Sequence, residues 1–114
     1  MSDTVPRSET EPIPVESVDQ FRTITGRNGV VLVDFYADWC GPCKMLEPTV
    51  EAIAAETEAT VATVDVDTHG ELAAQFGVQG VPNLVFFRDG EPAKRVVGVQ
   101  GRDALESVVE SLSD

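Results

Sequence analysis

The apolar positions of this chain fall into short blocks, and the densest block predicts the middle of the fold. Val30-Val31-Leu32-Val33 is an unbroken apolar run that resumes after Asp34 as Phe35-Tyr36-Ala37. A strand without apolar–polar alternation is buried on both faces, in a sheet covered by helices, so a strand is predicted over 30–36. Leu84-Val85-Phe86-Phe87 repeats the pattern. Val61 to Val66 is β-branched, mixes apolar with polar positions, and predicts a further strand.

Helical spacing lies between these blocks. Ser17 or Asp19 can cap a helix carrying Val18, Phe21, Arg22 and Ile24, which stops near Gly26. Asn28-Gly29 then turns the chain into the central strand. Met45, Leu46, Val50, Ile53 and Ala54 recur at spacings of three and four and predict a helix to about Thr57, kinked where Pro48 removes a donor. Asp67-Thr68 caps a short helix with Leu72 and Phe76 inward and Gly77 at its end. Asp89-Gly90 is a hairpin signal that pairs the strand over 84–87 with one from Lys94 to Val99. Leu105, Val108, Val109 and Leu112 form the stripe of a last helix starting at Asp103.

With Ile13-Pro14-Val15 as a short edge strand, where proline is tolerated, the order reads βαβαβαββα. Alternating strands and helices require parallel strands with crossovers, and the hairpin adds an antiparallel pair. The predicted fold class is α/β, a three-layer α/β/α domain over 13–114 with a mixed central sheet. Residues 1–12 are polar and proline-punctuated and are expected to be a disordered tail without a redox role.

Composition narrows the functions. The chain has 114 residues, enough for one core. Its net charge of −12 argues against nucleic acid as a partner, because binding phosphates needs the opposite sign. The charge reads either as a solubilising surface or as adaptation to a high-salt cytosol, where screening relieves self-repulsion. No apolar run approaches the ~18 residues of a membrane span, and the N-terminus lacks the apolar segment of a secretory signal, so no membrane role and a cytoplasmic location are expected.

Both cysteines, Cys40 and Cys43, follow the central strand in Cys-Gly-Pro-Cys. Two cysteines are too few for an all-cysteine zinc site, and His69, alone in a separate segment, reads as a surface helix-start residue; no metal is expected. Residues three apart share one helical face at about 5–6 Å, within the span a disulfide accepts. So short a loop is a poor structural staple, which favours a redox role. At a helix N-terminus, free N–H groups and the positive dipole end stabilise a thiolate on Cys40. Lowering its pKa from about 8.5 to about 7 raises the thiolate roughly fifteenfold and costs roughly fivefold in nucleophilicity, so geometry must supply most of the rate. Cys43, one turn deeper, is the natural resolving thiol. Gly41 allows a tight turn, and Pro42 suits a first helical turn.

Asp34 is a carboxylate in the middle of a buried strand, where desolvation raises its pKa. It reaches the sheet end, pairs with a base, or accepts the proton of Cys43; with the arginines expected at the surface, the last role is preferred. Pro82 opens a buried strand through either a trans or a cis bond. Trp39 reads as core or as a docking surface beside the nucleophile.

The run from Val33 to Lys44, with Trp39-Cys40-Gly41-Pro42-Cys43-Lys44 at its centre, resembles the active-site stretch of the thioredoxin family. Pro48 matches that family's helix-kinking proline, Gly80-Val81-Pro82 its cis-proline loop, Asp89-Gly90 its hairpin and Gly98 its groove glycine. The resemblance implies the thioredoxin fold and reduction of protein disulfides by a cofactor-free dithiol. Cys40 would attack, Cys43 resolve and Asp34 serve as the buried acid-base. It also implies a cis Val81-Pro82 bond, substrate pairing with the Val81 backbone, and an apolar rim of Trp39, Val81 and Gly98. Disulfide-containing proteins would be the substrates, a separate thioredoxin reductase would restore the dithiol, and the chain would act as a monomer. This sequence departs from the pattern at Thr63, where lysine is common nearby, at Tyr36, where tryptophan is common, and at Asn83, where threonine is usual. An oxidase or isomerase is disfavoured by Gly41-Pro42, since oxidising relatives carry histidine before the second cysteine. A pure binding module would keep its activity without either cysteine.

Overall fold

A computed structural model of the protein describes residues 10–113. The unbroken apolar run becomes β2 (Val30–Tyr36), the central strand of a five-stranded sheet. In chain order the elements are β1 (Ile13–Pro14), α1 (Val18–Thr25), β2, α2 (Gly41–Glu56), β3 (Thr60–Asp65), α3 (Gly70–Gln75), β4 (Asn83–Arg88), β5 (Glu91–Val97) and α4 (Arg102–Leu112). The sheet is ordered β1-β3-β2-β4-β5, parallel among its first three strands and antiparallel from β2 to β4 and β4 to β5. The α/β/α class and the element order agree with the sequence reading.

Strand periodicity divides the core. Val30 and Leu32 of β2 join Val61, Leu84 and Phe86 under α2 and α4. Val31, Val33 and Phe35 face the other way, with Val85, Phe87, Phe21 of α1 and Leu72 of α3. Val31, Leu32, Val33 and Phe35 are all fully buried, each stabilising the fold by about 1.5–3 kcal/mol. That strand carries the cost of Asp34, which by alternation lies on the α2 face.

Several element boundaries differ from expectation. β3 is Thr60–Asp65 and not Val61–Val66, because Asp65 Oδ1 accepts from the N–H groups of Asp67 and Thr68 and turns the chain out of the ladder. α3 begins at Gly70 behind His69, not at Asp67-Thr68, since those residues are used in that turn. β5 begins at Glu91, directly after a two-residue turn in which Asp89 (φ 51°) and Gly90 (φ 89°) both take the positive φ a tight hairpin requires. Its ladder slips between Phe86 and Phe87, opposite Pro92 and Lys94, and proline is tolerated there on an edge strand. It ends at Val97, where Gly98 turns at φ 95°. The tail expected over 1–12 lies outside the described residues as far as residue 9. Among the described residues no helix is long and apolar enough to cross a membrane.

Candidate functional site

The site forms where β2 ends and α2 begins. Cys40 is the N-cap of α2 and holds extended backbone (φ −91°, ψ 107°), and its Sγ accepts the N–H of Cys43 at 3.1 Å. A 16-residue helix thus points its N-terminal N–H groups and positive dipole end at this sulfur, with no acidic side chain in its first turn. Cys40 and Cys43 are joined as a disulfide with their Cα atoms 5.3 Å apart. Pro42 lies in the first turn, where its missing N–H costs nothing. Gly41 has neither a positive φ nor any atom within 4 Å of an added Cβ, so the expected tight turn is not what requires glycine.

The two sulfurs face different surroundings, although both cysteines are only 4% exposed. Cys40 Sγ lies 3.7 Å from the carbonyl oxygen of Val81. Cys43 instead lines a cavity of about 160 Å³ together with Asp34, Tyr36, Glu47 and Thr63. Asp34 stands opposite Thr63 in the β2–β3 register. It is 5% exposed, and its Oδ1 accepts no hydrogen bond from the described residues. Burial, with a smaller contribution from the Glu47 charge, pushes its carboxyl up from 3.8 to about 7. Among the described residues no lysine, arginine or histidine lines this cavity, so none of them forms an ion pair with Asp34 there.

Sequence reasoning missed Glu47, although its position was visible: four residues after Cys43 is one turn along the same helix face. It also missed Pro12, which contributes to the cavity wall from the segment assigned to the tail. A hollow of about 460 Å³ lined by Glu56, Glu58, Glu106 and Glu110 lies at the far end of α2, away from the sulfurs.

The rim is built by the segment before β4 and the end of β5. The Val81–Pro82 bond is cis. Pro82 O accepts from Gly98 N at 2.9 Å, which brings Gly98 beside the proline. Trp39 is 71% exposed and therefore not core. Its Nε1 donates to Asp67 Oδ2 at 2.9 Å, holding the ring over a shallow hollow of about 120 Å³ shared with Val66, Val78 and Val81. His69 is the N-cap of α3 and joins no cluster; among the described residues no group of three or more His, Cys, Asp or Glu is placed to hold a metal ion.

Residues 13–111 match the family model described as Thioredoxin. The chain is 52% identical over 84 residues to a thioredoxin of Mycobacterium tuberculosis, covering 72% of each protein. It is 46% identical over 95 residues to a bifunctional thioredoxin reductase/thioredoxin of Mycobacterium leprae, covering 82% of this chain and 21% of that protein. Among solved structures, a mutant thioredoxin from Halobacterium salinarum superposes with a TM-score of 0.91 at 50% identity, covering 96% of this chain and 97% of that one.

Proposed function

The chain belongs to the thioredoxin family, and from that premise we propose that Cys40 is its attacking thiolate, Cys43 its resolving thiol and Asp34 the base that takes the Cys43 proton. The protein is a thiol–disulfide oxidoreductase that reduces protein disulfides. In the forward reaction the Cys40 thiolate attacks one sulfur of a substrate disulfide, forming a mixed disulfide and releasing the other sulfur as a thiolate. Cys43 passes its proton to Asp34 and attacks Cys40 Sγ. The second substrate thiolate leaves, and Cys40–Cys43 is left oxidised by two electrons.

One observation carries the division of roles. Cys40 faces the Val81 carbonyl at the rim, and Cys43 shares its cavity with Asp34. A carboxylate with a pKa of about 7 is a far better match for a thiol proton than one at 3.8. Trp39, Val81, Pro82 and Gly98 form the surface where substrate lies, with the Val81 backbone pairing to an extended segment. Thioredoxin reductase restores the dithiol; the Mycobacterium leprae relative carries both names in one protein. The chain works as a cytoplasmic monomer, off the membrane, carrying electrons between these partners with no bound cofactor.

Trapping tests the assignment. Incubated with insulin, Cys43→Ser should accumulate a mixed disulfide through Cys40, and Cys40→Ser should accumulate none. Trapping through Cys43 in the Cys40→Ser protein would reverse the roles.

A further inference from the structure

One guanidinium spans the loop that carries the rim. Phe76 closes α3 and Asn83 opens β4, so residues 77–82 between them hold Val81 and cis Pro82. Arg95 reaches both ends of that loop. Its Nη1 donates to Asn83 Oδ1 at 2.9 Å, and its Nη2 donates to the main-chain carbonyl of Phe76. Asn83 Nδ2 donates in turn to the carbonyl of Gly80 at 3.3 Å, inside the loop.

The sheet register explains why these residues meet. Arg95 stands opposite Val85 in the β4–β5 ladder, and Val85 lies on the α3 face of the sheet. Asn83, two residues before Val85, points to that same face and is only 3% exposed. The last carbonyls of a helix lack intrahelical donors and sit at its negative end, which suits a cation at Phe76 O. A buried amide must also find partners for both of its ends, and Asn83 finds one for each. Arg95 itself is exposed, so its stem fills no core.

We propose that Arg95 and Asn83 are positioning residues for substrate docking, a clamp that fixes the 77–82 loop at both ends and at Gly80 so that Val81 presents its backbone beside Cys40. The inference rests on the reading of Val81 as the docking element. Neither side chain touches the sulfurs, so the clamp acts only through the loop. It favours extended polypeptide disulfides, which lie along the loop, over small disulfides, which need only reach Cys40.

The test compares two substrates. Arg95→Met keeps the aliphatic stem and removes the donors. Arg95→Lys keeps the charge, but a single amine does not bridge both ends, and it carries the same test should Arg95→Met unfold. Both variants should raise KM for insulin roughly three- to tenfold, because a displaced loop misaligns the bound segment. The rate with hydroxyethyl disulfide and the reduction potential of the cysteine pair should not change. An unaltered insulin KM in a folded variant would overturn the clamp, as would parallel losses with both disulfides or full rescue by Arg95→Lys. Failure of the wild-type chain to reduce insulin would instead refute the docking reading beneath it, and the clamp with it.

Discussion

Cys43 and Asp34 line the same cavity of about 160 Å³, one from the first turn of α2 and the other from the middle of β2. The thiol proposed to lose its proton and a carboxylate whose burial strengthens it as a base therefore share one partly open cavity, large enough for bridging water. Cys40 Sγ instead lies 3.7 Å from the Val81 carbonyl oxygen, and Cys40 does not line that cavity.

Asp34 sets a measurable pH dependence of stability. Folded, it holds its proton up to about pH 7; unfolded, only to about 3.8. The folded state binds more protons between these values, so stability falls as pH rises through the window, and this contribution, at most about 4 kcal/mol, is complete above pH 7. Asp34→Asn removes this penalty. Urea unfolding should show the variant more stable than wild type at pH 8 and equal to it well below the window; the same difference at every pH would contradict the burial argument.

The same variant should be slow. Without a base for Cys43, resolution of the mixed disulfide should fall roughly tenfold or more at pH 7, measured by stopped-flow release of substrate thiol. Unchanged resolution would remove Asp34 from the mechanism.

Glu47 should shift the pH profile of that step. Its negative charge raises the proton affinity of Asp34. Glu47→Gln should therefore move the midpoint of the resolving rate below that of wild type, and Glu47→Lys further down. A midpoint that stays fixed in both variants would leave burial as the only cause.

The segment before β1 should act on the same profile. Pro12 belongs to the cavity wall. Deleting residues 1–12 should keep insulin reduction, as the sequence reading expects, yet lower the midpoint by opening Asp34 to water. An identical profile would return the whole segment to the role of an inert tail.

Trp39 should matter for docking far more than for folding. Because it is 71% exposed, Trp39→Ala should change stability by less than about 0.5 kcal/mol while raising KM for insulin. A large loss of stability would mean that the Asp67 hydrogen bond ties the ring into the fold.

The parts legible in the sequence are those where a local pattern and a tertiary need coincide. Val30–Val33 announced the central strand because both faces of that strand are covered. The cysteine spacing announced a disulfide because a helical turn dictates it. β5 begins three residues before the sequence pattern places it because it is an edge strand carrying Glu91, Pro92, Lys94 and Arg95, with no buried face to impose alternation. The cis bond at Pro82 was legible only through the family resemblance of Gly80-Val81-Pro82, and the bond from Arg95 to Asn83 joins two strands, so no local pattern records it. Glu47 was legible as a position, four residues after Cys43, but its meaning needed the cavity.

Electrons flow from the Cys40–Cys43 dithiol to substrate only if the pair is sufficiently reducing, which its equilibrium reduction potential measures. A value near or below roughly −250 mV is predicted, placing the pair among electron donors to protein disulfides. A value of roughly −120 to −180 mV would make the protein an oxidant or isomerase and contradict the account.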